Sequence, residues 1–240
     1  MEYPRILIGT PTYEGKEYCR EQFVEHLKNI DYPNFQWCIV DNSKSTRYYS
    51  KLNRLYPGHI KRVPRGNNSR DALANASNYL RQKVLTEGYD YLFMLESDVF
   101  PPKDVIWRLL RHGRPVVGLP YEIGFGDKRN LCVFVVEQKD NGLFGTRQIT
   151  KQEASQFLGT GLQRVHGMGV GCTLIHKSIL ERFAFWYDVG DISRLEGTNI
   201  TKHPDVYFYL ALQNNNIGVY IDTDALCHHQ NSNWLDVEDR

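Results

Sequence analysis

Strand-like and helix-like segments alternate along the first half of the chain. Apolar runs rich in β-branched and aromatic residues predict strands, and amphipathic stretches between them predict helices. The predicted strands are residues 5–9, 35–40, 59–63 and 89–95, and the predicted helices are residues 16–29, 45–56 and 69–87, the last with Ser69 as N-cap. Strands separated by helices predict an α/β fold with a mostly parallel, doubly wound sheet.

The second half has a mixed pattern. After a helix at 104–112 and a strand at 115–120, an apolar run at 132–137 followed by Asp140-Asn141-Gly142 predicts a β-hairpin. Further strands are predicted at 170–176 and 217–222, and helices at 178–183 and 205–214. With 240 residues the chain is predicted to be one domain, residues 1–240, with a mostly parallel half (1–120) and a smaller mixed half (121–240).

Composition excludes several classes of function. The chain has 29 basic and 28 acidic residues, so the net charge of +1 provides no overall field toward nucleic acid or membrane. Its five cysteines contain no CxxC pair, which favours reduced thiols and a cytoplasmic protein. No apolar stretch approaches the roughly 20 residues of a membrane span, and the first residues do not resemble a secretion signal. We therefore expect no transmembrane segment.

Polar residues follow three of the predicted strands, at 9–13, 41–43 and 96–98. In a parallel α/β sheet, ligands bind beyond the carboxyl ends of the strands. We therefore expect these three segments to meet in one crevice.

Glu96-Ser97-Asp98 is the most acidic of these strand ends. Successive side chains of a strand point to opposite faces, so we expect Glu96 and Asp98 to share one side and Ser97 to face away. Two carboxylates so close repel one another unless a cation is present, and Mg²⁺ or Mn²⁺ is the natural partner for oxygen ligands. On spacing alone, a solvated acidic turn in which Asp98 caps the next helix is the alternative.

The same segments resemble the GT-A fold glycosyltransferases, most closely the inverting group called family 2. Residues 8–13 resemble its "PTYN" opening, with Glu14 where Asn is usual, and 40–43 resemble its "VDNGS" segment. Residues 96–98 resemble its DXD motif, with Glu in place of the first Asp. The resemblance implies that Asp98 is the direct metal ligand and that the donor contacts are Thr10, Pro11, Tyr13, Asp41, Glu96 and Ser97.

Residues 65–76 resemble the family's "N-x-G-x-x-x-A-x-N" passage, which implies that Arg70 and Asn75 approach the donor. A helix that begins after Gly66 also presents free N–H groups to a diphosphate, and Arg65 and Arg70 add positive charge. The alternative is a basic surface turn, and for Arg65 this reading is the favoured one.

The resemblance places the acceptor side in the second half. Residues 165–175 resemble a "G-x-G-x-x-L-I" strand, and 201–208 resemble the "EDxDL" segment of the general base, with its Glu missing. It implies that Asp205 is the base, and the dipole of a helix that starts there would keep the carboxylate ionised. Asp205 as a simple N-cap is the alternative, and Asp188, Asp191 and Glu196 are alternative bases.

Cys227-His228-His229 resembles the C-x-H pattern with which many GT-A enzymes return to their metal. The resemblance implies that His229, or else His228, is a metal ligand. A histidine pair after a strand, opposite an acidic motif, favours metal binding over an ordinary surface role.

Together these motifs imply metal-dependent transfer of a sugar from a nucleoside diphosphate sugar, most often a UDP-sugar, to a hydroxyl acceptor with inversion. The alternatives are a retaining transferase, a nucleotidyltransferase, although the chain lacks a glycine-rich triphosphate loop, and an inactive sugar-nucleotide-binding module. The acceptor is a glycan, a protein or a hydroxylated DNA base. A DNA acceptor would call on the basic residues Lys61, Arg62, Arg65, Arg70, Arg108, Arg111, Arg114, Lys128 and Arg129.

Overall fold

A computed structural model of the chain describes residues 3–124, 129–138, 144–188 and 203–230. In chain order the strands are β1 (Ile6–Thr12), β2 (Phe35–Asp41), β3 (Ile60–Arg62), β4 (Tyr91–Leu95), β5 (Val99–Phe100), β6 (Val116–Gly118), β7 (Glu122–Ile123), β8 (Asn130–Gln138), β9 (Phe144–Thr150), β10 (Leu162–Val165), β11 (Gly167–Met168), β12 (Cys172–His176), β13 (Val219–Asp222) and β14 (His228–His229). The helices are α1 (Arg20–Lys28), α2 (Thr46–Leu55), α3 (Ser69–Thr86), α4 (Val105–Leu110), α5 (Lys151–Phe157), α6 (Lys177–Arg182) and α7 (Pro204–Asn214), and a 3₁₀ helix (Glu14–Cys19) precedes α1.

A large sheet forms the centre of the described residues, with eight strands in the order β10-β13-β6-β12-β4-β1-β2-β3. Strand β1 pairs in parallel with β2 and β4, and β2 pairs in parallel with β3. Strand β12 is antiparallel to both of its neighbours, β4 and β6. The predicted α/β class with a mostly parallel sheet is confirmed.

Apolar side chains cover both faces of this sheet, and each face packs in its own core cluster. In β1, Leu7 packs in one core cluster, and Ile6 and Ile8 pack in the other. A buried strip on α3, which includes Ala76 and Leu80, covers the first face. A Cβ at Gly9 would lie 2.7 Å from Leu80 Cδ1, so glycine at this position lets α3 approach the sheet closely.

A smaller antiparallel sheet follows in the second half. Strand β8 pairs with β7, β9 and β11, all antiparallel. The β8–β9 pair is the predicted hairpin, although its Asp140-Asn141-Gly142 turn lies outside the described residues. Strand β14 pairs with β5, which brings the chain near residue 229 back to Asp98.

Several local predictions were wrong. The predicted helix at 16–29 begins as the 3₁₀ helix, and Asn68, rather than Ser69, caps α3 by accepting from the backbone N–H groups of Arg70 and Asp71. Asparagine is as good an N-cap as serine, and the N-cap of α3 lies one residue earlier than predicted. The elements α5 and β10 had no counterpart in the prediction.

All five cysteines are buried and unpaired, in agreement with the expected reduced thiols. Burial raises the pKa of Cys19 and Cys38 to about 11 and that of Cys132 to about 12, so these groups are neutral thiols at pH 7. None of the helices described has the length and apolar character needed to cross a bilayer.

We expect Thr150→Ala to lower the free energy of unfolding by about 1 kcal/mol, the usual value of an N-cap. Thr150 caps α5 by accepting from Glu153 N–H, and Glu153 accepts from Thr150 N–H in return at 2.9 Å. Urea denaturation followed by circular dichroism would measure the loss. The control is Thr146→Ala, an exposed position on the same strand, whose effect should stay within about 0.5 kcal/mol.

Candidate active site at the carboxyl ends of the parallel strands

A cleft of about 310 Å³ opens where β1, β2 and β4 end. The register of β1 against β2 places Thr12 opposite Asp41, so the polar segments after both strands lie side by side. The first turn of α3 and the start of α7 complete the walls. Its lining residues include Thr12, Tyr13, Asn42, Ser97, Asp98 and His203.

The acidic segment 96–98 is a turn rather than the end of a strand. Strand β4 ends at Leu95, and Val99 N–H donates back to the Glu96 carbonyl at 3.1 Å. Glu96 N–H donates to the Gly171 carbonyl at 3.0 Å, which anchors the turn to the chain before β12. The predicted alternation of side chains in this segment was therefore wrong, but Glu96, Ser97 and Asp98 all line the cleft.

Asp98 is buried at the centre of a polar cluster. Its Oδ2 contacts Lys16 Nζ, Tyr18 OH at 3.2 Å and His229 Nε2 at 3.2 Å. Its Oδ1 is buried without a hydrogen-bond partner among the described residues. Burial would raise the pKa of Asp98, but the hydrogen bond with His229 and the charge of Lys16 outweigh burial and lower that pKa. Asp98 is therefore a carboxylate at neutral pH.

The two neighbouring histidines have different surroundings. His229 Nδ1 donates to the Glu122 carbonyl at 2.7 Å, which turns Nε2 toward Asp98. Burial lowers the pKa of His229, but hydrogen bonding and charge from Asp98 outweigh it and raise that pKa. His228 is exposed and lies 6.1 Å from the Phe100 ring, because successive residues of β14 point to opposite sides. Of the pair, only His229 contacts Asp98 in the structure.

Asp98 and His229 fit a divalent cation by their chemistry. An unpartnered carboxylate oxygen and an imidazole whose other nitrogen is fixed by a carbonyl are suitable ligands for Mn²⁺ or Mg²⁺. In the described ranges no group of three or more His, Cys, Asp or Glu side chains is placed to hold a metal. A cation here would thus have two protein ligands and take its others from phosphate oxygens and water, as Mg²⁺ commonly does.

Glu96 differs from Asp98 in charge state. Burial and, to a smaller extent, the negative charge of Asp98 raise the pKa of Glu96 to about 7. A Cβ at Gly171 would lie 3.1 Å from Glu96 Cδ and 2.8 Å from Tyr121 OH, so glycine makes room for both side chains. Glu96 is half-protonated near pH 7, which suits a hydrogen-bonding role better than permanent metal ligation.

Asp205 lies in the first turn of α7 and is not its N-cap, a role that His203 takes. Its Oδ1 accepts from Val206 N–H at 2.8 Å. Burial raises the pKa of Asp205, although the charge of His203 acts to lower it. The expected lowering of this pKa by the helix N-terminus is therefore outweighed by burial. The Asp205 charge also raises the pKa of Glu96, which places the two carboxyl groups within electrostatic reach. Among the alternative bases, Asp188 is exposed, and Asp191 and Glu196 lie outside the described residues.

On the predicted nucleotide side, Pro11 and Tyr13 line the cleft, whereas Thr10 and Asp41 are fully buried. Asp41 Oδ1 accepts from Ser43 N–H at 3.2 Å, and Arg62 Nε lies 3.6 Å from Oδ2. The cleft wall at this point is formed by the adjacent Asn42.

The predicted basic contacts are arranged differently from the expectation. Arg70 lies 4.8 Å from the Tyr187 ring centroid, and Asn75 Nδ2 donates to the Pro64 carbonyl at 3.0 Å; neither residue lines the cleft. Arg65, for which a surface turn was favoured, does line it and lies 5.8 Å from the Tyr13 ring centroid.

Sequence reasoning missed several residues of this site, among them Lys16, Tyr18 and His203. Lys16 and Tyr18 belong to the 3₁₀ helix after β1, which brings them onto Asp98 across 82 and 80 residues of sequence. Nothing in their local pattern separates them from ordinary helix-surface residues. His203 lies within the acceptor-side motif at 201–208, but its position as helix cap was not apparent.

No protein-family model matches the sequence, and no curated protein sequence matches it. Many solved structures are similar in fold, among them the following two. A197 from STIV is 16% identical with a TM-score of 0.53, and the match covers 95% of this chain and 86% of A197. The mannosyltransferase PcManGT from Pyrobaculum calidifontis, solved in complex with GDP-Man and Mn²⁺, is 14% identical with a TM-score of 0.55 over 95% of this chain. This chain spans 57% of that mannosyltransferase. The likeness supports the predicted α/β fold with a mostly parallel sheet, and at these identities it concerns the fold alone.

Proposed function

We propose that the protein is a metal-dependent glycosyltransferase that moves a sugar from a nucleoside diphosphate sugar to a hydroxyl acceptor with inversion. The observation that carries the proposal is the pair Asp98 and His229, with the unpartnered carboxylate oxygen of Asp98, at the edge of a cleft formed by the parallel strand ends. The mannosyltransferase of similar fold, solved with GDP-Man and Mn²⁺, supports the proposal.

Different cleft residues bind different parts of the donor in this proposal. Pro11 and Tyr13 offer an apolar wall for the nucleobase, and Arg65 offers positive charge beside them. Asp98 and His229 would hold a divalent ion, which would supply positive charge to the departing diphosphate. The Glu122 carbonyl keeps the ring of His229 oriented toward that position. Glu96, with a pKa of about 7, donates a hydrogen bond to the sugar or ribose when protonated and accepts one when ionised.

Asp205 is the proposed general base. Its carboxylate takes the proton of the acceptor hydroxyl while the acceptor oxygen bonds to the anomeric carbon and the bond from that carbon to the phosphate oxygen breaks. This single displacement inverts the anomeric centre and needs no covalent enzyme intermediate. The raised pKa of Asp205 supports the role, because a stronger base accepts a proton more readily.

A glycan or protein acceptor has more support than DNA. Several basic residues that would track phosphates are already paired with carboxylates of the protein: Arg62 with Asp41, and Arg108 and Arg111 with the buried Asp222. Lys128 lies outside the described residues. The paired arginines leave less free charge for a DNA backbone than the sequence alone suggested.

We expect a matching nucleoside diphosphate sugar to raise the melting temperature by roughly 5–10 °C in the presence of Mn²⁺. A ligand at 100 times its Kd stabilises the native state by about 2.7 kcal/mol, and each kcal/mol shifts Tm by about 2–4 °C in a domain of this size. The measurement is a thermal-shift panel of UDP- and GDP-sugars with Mn²⁺ and with EDTA. A panel in which no donor raises Tm would contradict the proposal.

A further inference from the structure

Asp98 Oδ2 has more hydrogen-bond donors than it can hold well. Lys16 Nζ, Tyr18 OH and His229 Nε2 all contact this one oxygen, while Oδ1 of the same carboxylate has no partner among the described residues. A carboxylate oxygen has two lone pairs, so three contacts overfill Oδ2. A divalent ion at the unpartnered Oδ1 would lie beside the Lys16 ammonium on the same carboxylate, and the two like charges would repel one another.

Lys16 is the group best able to leave. Tyr18 OH also lies 2.9 Å from the Gln230 carbonyl, and His229 Nδ1 is held by the Glu122 carbonyl at 2.7 Å. Lys16 Nζ has Asp98 as its one hydrogen-bond acceptor within the described ranges. Its side chain is 27% exposed and sits on a flexible four-carbon stem in the cleft wall.

The charges of the cleft indicate where the released ammonium would go. Among its described lining residues, Glu96 and Asp98 carry the acidic groups, and Lys16, Arg65 and His203 carry the basic ones. A diphosphate adds negative charge next to Asp98 and needs cations close by. An ammonium freed from Asp98 is already in this part of the cleft.

We propose that Lys16 is an exchangeable cation, paired with Asp98 when the cleft is empty and with the diphosphate when metal and donor are bound. This inference rests on the proposed function, since it takes the diphosphate and the divalent ion as ligands. It assigns Lys16 two opposite effects: its ammonium competes with the divalent ion for Asp98, and it attracts the nucleotide. A purely structural lysine would not have this pair of effects.

The test uses Lys16→Met and measures both ligands separately. Binding of Mn²⁺ alone, followed by electron paramagnetic resonance, should become at least about tenfold tighter, because the competing charge is gone. Binding of GDP and UDP at saturating Mn²⁺, followed by calorimetry, should become at least about tenfold weaker, because a charge-assisted contact is lost. Neither measurement depends on turnover.

Two further variants make the test specific. Lys51→Met removes the lysine that pairs with Glu17 on the same 3₁₀ helix at an exposed site, and it should change neither affinity. Lys16→Arg keeps the charge and should retain wild-type behaviour in both titrations. If Lys16→Met fails to fold, Lys16→Arg still provides a test, because tenfold changes in its Mn²⁺ or nucleotide affinity would contradict the exchange.

The results separate this inference from the proposed function. If the wild type binds Mn²⁺ and nucleotide, but Lys16→Met shifts both affinities in the same direction or shifts neither, the exchange is overturned and the proposed function stays intact. Wild-type protein that binds neither Mn²⁺ nor any nucleotide diphosphate would overturn both.

Discussion

Asp98→Asn is expected to lower kcat by roughly 10³-fold, because a metal held by Asp98 supplies several kcal/mol of charge stabilisation to the departing diphosphate. Asparagine keeps the shape of the side chain but removes the negative charge that Lys16 and His229 face. Mn²⁺ affinity should fall with it. The measurement is donor turnover and Mn²⁺ binding in the variant and the wild type, with circular dichroism to show that the variant folds.

Asp104→Asn is the matched control for this change. Asp104 lies six residues further along the chain, is 53% exposed and has a weak ion pair with Arg108 at 3.7 Å. Its substitution should leave turnover within a factor of about two, as expected for a surface position. If Asp98→Asn kept wild-type kcat and Mn²⁺ affinity, Asp98 would not be the metal ligand.

Asp205→Asn is expected to lower kcat by about 10²–10⁴-fold, the usual contribution of a general base, while the Kd of the donor stays close to the wild-type value. Asparagine cannot accept the acceptor proton, but it preserves the size of the half-buried side chain in α7. Steady-state kinetics and calorimetry with the donor would separate the two quantities. Asp188→Asn, at an exposed position, is the comparison, since Asp188 was an alternative base; a loss confined to Asp188→Asn would move the assignment there.

The pH profile provides an independent check on Asp205. Burial raises its pKa above the ordinary aspartate value of 3.8, so the fraction in the active carboxylate form increases as pH rises through that higher pKa. The acidic limb of kcat/KM should therefore lie above the range of an exposed aspartate, and it should be absent from the residual activity of Asp205→Asn. An acidic limb that is unchanged in the variant would belong to another group.

The positions of the strand ends were predictable, because buried strands have a strong apolar pattern and a parallel sheet aligns their carboxyl ends. The segments after β1 and β4 line the cleft as expected. The local geometry of 96–98 was not predictable: whether a strand continues or turns after Leu95 depends on the hydrogen bond from Glu96 to Gly171, a residue 75 positions away.

The distant partners of Asp98 were predicted unevenly. A histidine near residue 229 was expected from the C-x-H pattern, but its separation from His228 required the pairing of β14 with β5. Lys16 was missed because a single lysine in an amphipathic stretch usually lies on a solvated helix face. Asp41 was expected as a donor contact, whereas it is fully buried and its neighbour Asn42 lines the cleft. The burial of Asp41 depends on the tertiary packing around β2, which no local sequence pattern indicates.

The central claim is that this cleft uses a divalent metal to activate a nucleoside diphosphate sugar. The most direct measurement is release of nucleoside diphosphate from a panel of UDP- and GDP-sugars, with Mn²⁺ or with EDTA, by the wild type and by Asp98→Asn. We expect at least one donor to release its nucleoside diphosphate only with Mn²⁺, and Asp98→Asn to lose this release. Release from no donor, or release that is equal in EDTA and in the variant, would contradict it.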